Sequence, residues 1–593
     1  MTNLNQRKYA KHFKNLKLFI MTVAAWVLVS PVESESTSST ESANLILFNG
    51  VIATLNPSFS IEQAVAIRNH QIISVGKNQE VLGHQGPESQ LIDLQGRFLM
   101  PGFIEGHGHF MSLGRSKQII DLTQAKSWEE IVSKVAIAVD SSDEGQWIEG
   151  RGWHQEKWIS GRENLVDGVP TNRRLNQVAP NNPVILGHAS GHAAMANLQA
   201  LMAAKIDDTT PNPRGGKIVR DQNGTATGLL RETAQSLTAS ALAKSRSAQT
   251  EGDVFNQRSE QVELAAKEAL RHGVTSFHDA GSNFATIDFY KKLEQRKGLP
   301  IRLYVMIQGE DNEKLESNLK KYYSPYQDND FLTVRSIKAQ LDGALGSHGA
   351  WLLQPYTDLP DSSGLVLKPL PILKKTAALA ITHGFQLNTH AIGDRANREV
   401  LNLYEDAVEG QALRALRWRV EHAQHIHPID VPRFGKLGVI AAVQGVHCTS
   451  DGPWIVTRLG DKRTKTTSYP WRDLIDTGAI VANGTDTPVE SINPIASFYS
   501  SVSRTMNNSE RFHPAQAMNR VEALKSYTIN NAIAAFEEQH KGSIEIGKLA
   551  DLVVLSKNLL EVPDDQILST QVDLTIVGGR IKYQRTGSIG VGH

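Results

Sequence analysis

Two histidines one residue apart form the first pattern in this 593-residue chain that could do chemistry. His107 and His109 close the run FIEGHGH, where an apolar segment that is predicted to be a strand ends. Side chains at positions i and i+2 of a strand lie on the same side of it. Both imidazoles can therefore bind one metal ion, and we predict a metal site at the carboxyl end of this strand.

Four further side chains repeat this placement in or at the ends of later predicted strands: Lys338, His390, His422 and Asp486. A lysine is rarely buried without a partner, so Lys338 inside the β-rich run 334–340 is unusual for a purely structural residue. Each of the four could be structural when taken alone. Their recurrence at strands one, four, five, six and eight favours a single shared site.

Strand-like and helical segments alternate between residues 100 and 541, and these elements must position the candidate side chains. This alternation is typical of a parallel sheet with crossover helices. Eight strands fit a (β/α)8 TIM-like barrel, in which chemistry lies at the carboxyl ends of the strands, although an open doubly wound sheet fits the pattern as well. The predicted strands are residues 98–104, 274–278, 301–306, 334–340, 385–389, 417–420, 439–443 and 480–482.

Short β-rich runs at residues 43–99 and 542–590 are predicted to pair into one small β-sandwich beside the barrel. An insertion of about residues 127–236, rich in Trp, Gly, His and Pro, follows the first barrel strand. Insertions of this length commonly cover the mouth of a barrel and shape its specificity. Candidate substrate contacts, for which structural roles stay open, are Trp153, His188 and His192 in the insertion and Gln444, His447, Asp451 and Trp454 after the seventh strand.

The first 42 residues resemble a targeting segment. Basic residues precede an apolar run at 18–29, which is short for a membrane span but fits the core of a signal peptide. We expect residues 1–34 to be a signal peptide or an uncleaved N-terminal anchor, and 35–42 to be a linker. Export to a periplasm or the extracellular space follows, with no stable membrane insertion after removal of the signal.

The composition excludes several classes of protein. Lys+Arg and Asp+Glu both number 62, so there is no basic excess to indicate a nucleic-acid partner. Cys448 is the only cysteine, which rules out an intramolecular disulfide and a Cys-rich zinc module. We expect a small-molecule substrate, and homo-oligomer formation is compatible with the sequence.

Further motifs extend the pattern along most of the chain. They are GRGW at 150–153, GGKI at 215–218, TGLL at 227–230, DTPV at 486–489 and GKLADL at 547–552. Together with the histidines, the lysine and the aspartate, they resemble the amidohydrolase superfamily. The resemblance is strongest to the amidohydrolase 3 branch, which includes YtcJ-like proteins and N-substituted formamide deformylases.

This resemblance implies a metal-binding barrel with a β-sandwich made from both chain ends. It implies that His107 and His109 bind a first metal with Asp486, and that His390 and His422 bind a second. Lys338, if carboxylated by carbon dioxide, would bridge the two; as an ammonium ion it could not be a ligand, and one metal would remain. Zinc suits these ligands best.

The expected activity is hydrolysis of a carbon–nitrogen bond other than a peptide bond, such as an amide, formamide or cyclic amide, by metal-activated water. Asp486 would accept the proton of that water and pass it to the leaving amine. An esterase, lactonase or phosphotriester hydrolase could use the same site, because a fold does not fix the bond that is attacked. A non-catalytic binding or regulatory barrel is the third alternative.

Overall fold

The centre of the molecule is a sheet of eight parallel strands. A computed structural model describes residues 42–160, 165–247, 249–327, 329–408 and 411–590, so the expected signal peptide lies outside the described residues. The backbone N–H of Asp486, after the eighth strand, donates to the carbonyl of His107 in the first (2.7 Å), which brings the two edges together. The strands, in spatial and chain order, are Phe103–Gly108, Val274–Ser282, Arg302–Ile307, Leu332–Gln340, Gln386–Ala391, Arg419–His422, Ile440–Gln444 and Val481–Gly484.

Helices connect the barrel strands and cover the sheet. The helix Asp394–Ala407 shows why they pack there, since it buries Val400, Leu401, Leu403 and Tyr404 on one face. The helices of this region are Phe110–Ser116, Glu251–Arg271, Phe284–Gln295, Asn312–Tyr322, Leu370–His383, Asp394–Ala407, Gln411–Leu416, Val431–Leu437, Gly445–Thr467, Trp471–Asp476, Pro494–Ser503, Arg520–Ser526 and Ile529–Ala534, with a 3₁₀ turn at Pro514–Gln516. The predicted (β/α)8 architecture is confirmed.

Both chain ends contribute to the β-sandwich. Strand Leu552–Leu555 pairs antiparallel with Phe98–Pro101, so that late and early segments share one sheet. The six-stranded sheet runs Arg580–Gln584, Val572–Val577, Leu552–Leu555, Phe98–Pro101, Val51–Ala53 and Ile61–Glu62. The four-stranded sheet runs Gln71–Gly76, Ala64–Arg68, Leu45–Phe48 and Gln90–Asp93, with a helix at Asn78–Leu82 and, nearer the C-terminus, a 3₁₀ helix at Asp564–Ser569.

The insertion has a sheet and a hydrophobic core of its own. Trp128, Trp153 and Trp158 are buried together in that core. Its strands, in spatial order, are Gly216–Arg220, Ala226–Glu232, Ala193–Ala196, Val184–His188, Ile148–Trp153 and Ile120–Asp121. Its helices are Trp128–Asp140, Arg173–Val178, Leu198–Ala203 and Gln235–Ser245, with a 3₁₀ turn at Gln155–Lys157. The sheet begins before residue 127, the start predicted for the insertion.

One predicted strand is corrected. Residues 98–104 form not one strand but the end of one and the start of another: Phe98–Pro101 lies in the sandwich and Phe103–Gly108 in the barrel. The break falls at Gly102, where a Cβ atom would lie 2.2 Å from the Thr275 side chain. Only glycine fits this close approach between two strands.

Among the described residues, no helix combines the length and the apolar character that a membrane crossing requires.

Candidate metal centre

His107, His109 and Asp486 meet where the first and eighth barrel strands end. His109 Nε2 lies 3.1 Å and His107 Nε2 lies 3.6 Å from Asp486 Oδ1. One ligand atom from each of the three residues falls within 4.8 Å of the other two. Two imidazole nitrogens and a carboxylate oxygen at this spacing suit a divalent transition metal.

Two of the histidines are held in the tautomer that a metal ligand needs. The Nδ1–H of His107 donates to the Glu421 carboxylate, which leaves the Nε2 lone pair facing the site. The Nδ1–H of His422 donates to Gln444 Oε1 (2.8 Å), with the same consequence for its Nε2. Burial, together with the neighbouring His390 and His107, lowers the pKa of His422 well below its usual value and keeps it neutral. Such outer partners fix ring orientation in metal sites.

Lys338 lies at the centre of the group. It is 5% exposed, and its Nζ atom is 3.2 Å from His107 Nε2. Burial lowers the pKa of the Lys338 ammonium, while the Glu421 and Asp486 carboxylates act in the opposite direction. The amine is thus shifted towards its uncharged, nucleophilic form.

His390 and His422 complete the cluster on the far side of the site. Their ring centroids are 4.4 Å apart, and the ring of His107 is 4.7 Å from that of His422. His390 Nε2 is buried, has no hydrogen-bond partner among the described residues, and lies 3.5 Å from Asp342 Oδ1. The structure therefore brings together all six side chains that were predicted to form the site.

Two of these residues adopt backbone conformations that side chains disfavour. His422 has φ +77° and Asp486 has φ +57°, in the left-handed region where a non-glycine residue is strained by roughly 1–3 kcal/mol. Arg419 and Glu421 share the inner face of their strand by simple alternation, which would turn His422 away from the interior. The left-handed turn at His422 brings its ring back to the site.

The acidic residues that support the ligands were not identified from the sequence. Glu421 is fully buried beside His107. The Asp342 carboxylate accepts backbone N–H groups of Trp351, Ile392 and Gly393 at 2.8–3.0 Å, and burial raises its pKa to about 7. In the sequence, Glu421 and Asp342 are marked only by their place next to a predicted strand that carries a metal ligand.

A cavity of about 630 Å³, a volume that includes space open to solvent, lies above the cluster. Five of the seven predicted substrate contacts line it: His188, His192, His447, Asp451 and Trp454. The other two have different positions. Trp153 is buried in the insertion core and donates Nε1–H to the Leu186 carbonyl (2.8 Å), and Gln444 holds His422.

His192 extends from the insertion towards the barrel ligands. Its Nδ1 hydrogen-bonds Glu232 Oε2 at 2.8 Å, and its ring centroid is 5.7 Å from that of His390. Burial acts to lower the pKa of His192, but the Glu232 carboxylate outweighs it and the pKa is raised. The role of Glu232 could not be predicted from the sequence, because it lies 40 positions from its partner.

Comparison with known proteins shows similarity along most of the chain. A model of the Amidohydrolase family matches residues 90–583. Protein LONG AFTER FAR-RED 3 of Arabidopsis thaliana is 33% identical over 91% of this chain and 92% of its own length. N-substituted formamide deformylase of Arthrobacter pascens is 28% identical over 93% of this chain and 100% of its own. The crystal structure of an uncharacterised metal-dependent hydrolase from Pyrococcus horikoshii OT3 is 26% identical with TM-score 0.70, covering 88% of this chain and 99% of the other.

Proposed function

This chain belongs to the amidohydrolase family and is a metal-dependent hydrolase of carbon–nitrogen bonds, and we propose that it acts on a small, uncharged amide or formamide at a binuclear zinc site. The observation that carries the proposal is the convergence on His107: its Nε2 lies 3.2 Å from Lys338 Nζ and 3.6 Å from Asp486 Oδ1. A ligand nitrogen, an amine and a carboxylate thus face one point.

Each predicted ligand has a place in this proposal. His107, His109 and Asp486 would hold one ion, and His390 and His422 the other. Lys338 would bridge them after its uncharged amine adds to carbon dioxide, forming an N-carboxylate and releasing one proton. Zinc is favoured by a set of imidazole and carboxylate ligands. Bound metal lowers the pKa of water to about 7 and polarises the substrate carbonyl.

The chain's own residues would order the reaction around that chemistry. Burial acts to raise the pKa of Asp486, but the His109 hydrogen bond and the nearby histidines hold it well below its usual value. Asp486 is therefore a carboxylate near neutral pH and can accept a proton from the attacking water. It would then return this proton to the nitrogen that leaves as an amine. Glu421 and Gln444 keep His107 and His422 oriented throughout.

Elemental analysis of metal per chain in the wild type and in Lys338→Ala tests the binuclear site. We expect two equivalents in the wild type and one or none in the variant. An exposed lysine, Lys436, provides the control substitution Lys436→Ala, which should retain both ions. One equivalent in all three proteins would exclude a bridging role for Lys338.

A comparison of substrates tests which kind of bond the protein hydrolyses. N-substituted formamides and esters of matched size should be offered to the zinc-loaded protein, with faster turnover of the formamides expected. Faster ester hydrolysis would move the assignment to an esterase or lactonase on the same site.

Export and self-association stay predictions. The basic and apolar runs before residue 34 support a cleaved signal peptide and a periplasmic or extracellular location. N-terminal sequencing of the mature protein tests the first, and a chain that still begins at Met1 in a cytoplasmic fraction would contradict it. Light scattering of the purified protein would establish the oligomeric state.

A further inference from the structure

One wall of the cavity comes from the helix Gly445–Thr467, which lies outside the proposed ligand set. His447, Asp451 and Trp454 are spaced i, i+4 and i+7 along it, so they share one helical face. All three line the cavity that also contains His390, His422 and Asp486. We call this surface the His447–Trp454 face.

His447 presents an unused hydrogen-bond donor. The Gln424 amide nitrogen can only donate, and it lies 3.1 Å from His447 Nδ1, which must therefore accept. With Nδ1 as the acceptor, the ring carries a proton on Nε2. That nitrogen is buried and has no partner among the described residues, and the whole residue is only 6% exposed.

Trp454 presents a second unused donor on the same face. Its Nε1–H is buried and is also without a partner in the described part of the chain. Leaving a buried polar group without a hydrogen bond is energetically unfavourable, and buried Trp N–H groups usually find a partner. Two such donors from residues of one cavity wall indicate that a ligand supplies the acceptors.

The charges around this face select against an anion. Asp451 and Glu490 line the same cavity. Two cations near this face are paired: the Lys157 ammonium with Glu490 at 3.3 Å, and the Arg458 guanidinium, 5.9 Å from the Trp454 ring, with Asp358 and Glu156. Burial raises the pKa of the Asp451 carboxyl, while the Tyr469 hydroxyl, which donates to it (2.7 Å), acts in the opposite direction. A negatively charged acceptor would meet Asp451 between the two donors, whereas a neutral oxygen would not.

Flat rings define the shape of the space. The ring of His154, from the insertion, lies 6.1 Å from the Trp454 ring with an interplanar angle of 41°. The His188 ring is 4.6 Å from that of His154. Burial lowers the pKa of His154 to about 3, so this ring is uncharged. Neutral rings that approach from two sides suit a planar substituent.

We propose that the His447–Trp454 face is a recognition subsite for an uncharged oxygen acceptor, such as a ketone carbonyl, on a planar substituent of the amide substrate. This rests on the proposed function, because it assigns the part of the substrate beyond the scissile bond. His447 Nε2–H and Trp454 Nε1–H donate to the acceptor, and Asp451 excludes its anionic counterparts.

Formanilides that differ in one ring substituent test the subsite. An acetyl group carries the acceptor, an isopropenyl group has the same shape without it, and a carboxylate is anionic; each is placed at ring position 3 or 4. The readout is the ratio of kcat/KM for acetyl over isopropenyl, compared between wild type and His447→Phe so that intrinsic reactivity cancels. We expect this ratio to fall about tenfold in the variant, the value of one hydrogen bond.

Two further variants separate recognition from structural damage. His447→Gln retains an N–H donor and should recover part of the ratio. Val456→Ala changes an exposed side chain of the same helix and should leave the ratio at the wild-type value. The carboxylate compound should be the poorest of the three in the wild type. An equal loss for acetyl and isopropenyl compounds in His447→Phe would overturn the proposal.

A binding measurement keeps the two proposals distinguishable. If the zinc-loaded wild type hydrolyses none of the formanilides, the proposed function fails for this substrate class. Calorimetry with the corresponding acetyl and isopropenyl anilines then decides the subsite alone. A preference for the acetyl compound that is lost in His447→Phe supports the subsite, and the absence of any preference in the wild type refutes it.

Discussion

The floor and the walls of the cavity are built in different ways. The floor is made by side chains at the ends of barrel strands, and their polar atoms face one another or buried carboxylates such as Glu421 and Asp342. The walls come from the insertion and from the helix Gly445–Thr467, and they include donors that have no hydrogen-bond partner in the described part of the chain. A floor that gathers potential metal ligands at one point suits fixed chemistry, whereas walls that bring hydrogen-bond donors from separate elements suit a choice among substrates.

This difference predicts that substitutions in the floor abolish turnover, whereas substitutions in the walls change which substrates are turned over. Two floor residues, His422 and Asp486, also have a strained, left-handed backbone. Such strain persists only where the surrounding structure enforces it. The predictions below test this division, beginning with the largest expected effect.

Asp486→Asn should reduce kcat by about 1,000-fold or more, because it removes both a metal ligand and the group that moves the proton. Steady-state kinetics with saturating zinc measures the loss. Asp406→Asn, at an exposed position, is the control and should retain full activity. A variant at position 486 with more than a tenth of wild-type kcat would show that the floor does not carry the chemistry.

Glu421→Gln should weaken metal affinity or activity by about 10–100-fold, because a neutral amide no longer enforces the His107 tautomer. Metal titration against a competing chelator measures the affinity. Glu405→Gln, at an exposed position, should behave as the wild type. Unchanged affinity would mean that His107 is oriented by its backbone alone, and that the floor depends less on buried carboxylates than its contacts indicate.

The ligands could be predicted from the sequence because strand ends have a simple geometry. His107, Lys338 and Asp486 follow apolar runs whose alternation places them at one end of the barrel. Their partners could not be predicted in this way. Glu421 meets His107 across 314 positions, and no local period connects residues so far apart. At His422 the local rule fails outright, because a left-handed backbone turn replaces the alternation.

The wrong predictions for Trp153 and for residues 98–104 have other causes. Trp153 was expected at the mouth because it lies in a Trp- and Gly-rich insertion, but that insertion needs large apolar side chains for its own core. The run 98–104 is apolar throughout, and a strand buried in the sandwich looks the same in sequence as one buried in the barrel. Only the close approach at Gly102 separates them.

His425→Gln should reduce the acid sensitivity of the barrel. His425 is 1% exposed, and burial lowers its pKa to about 3 from the usual 6.5. The unfolded chain therefore binds a proton that the folded chain does not, so this contribution to stability is complete above pH 6.5 and is lost as the pH falls towards 3. The loss is at most about 1.4 kcal/mol per pH unit.

Urea unfolding at pH 7.0, 6.0 and 5.0 measures this effect. The free energy of unfolding of the variant should fall less steeply below pH 6.5 than that of the wild type. His540→Gln, at an exposed histidine, should keep the wild-type slope. Parallel curves for His425→Gln and the wild type would show that His425 is protonated in the folded barrel.

Ser127→Ala should destabilise the insertion without changing the chemical step. The Ser127 side chain caps the helix Trp128–Asp140 by accepting the Glu130 N–H at 3.2 Å, and loss of such a cap costs about 1 kcal/mol. Ser133→Ala removes an exposed hydroxyl from the middle of the same helix and should have a smaller effect on stability. Hydrogen exchange measures helix protection and single-turnover kinetics measures the chemical step. If Ser127→Ala slowed the chemical step while Ser133→Ala did not, the insertion would have to order the floor as well as the walls, and the division between the two would not hold.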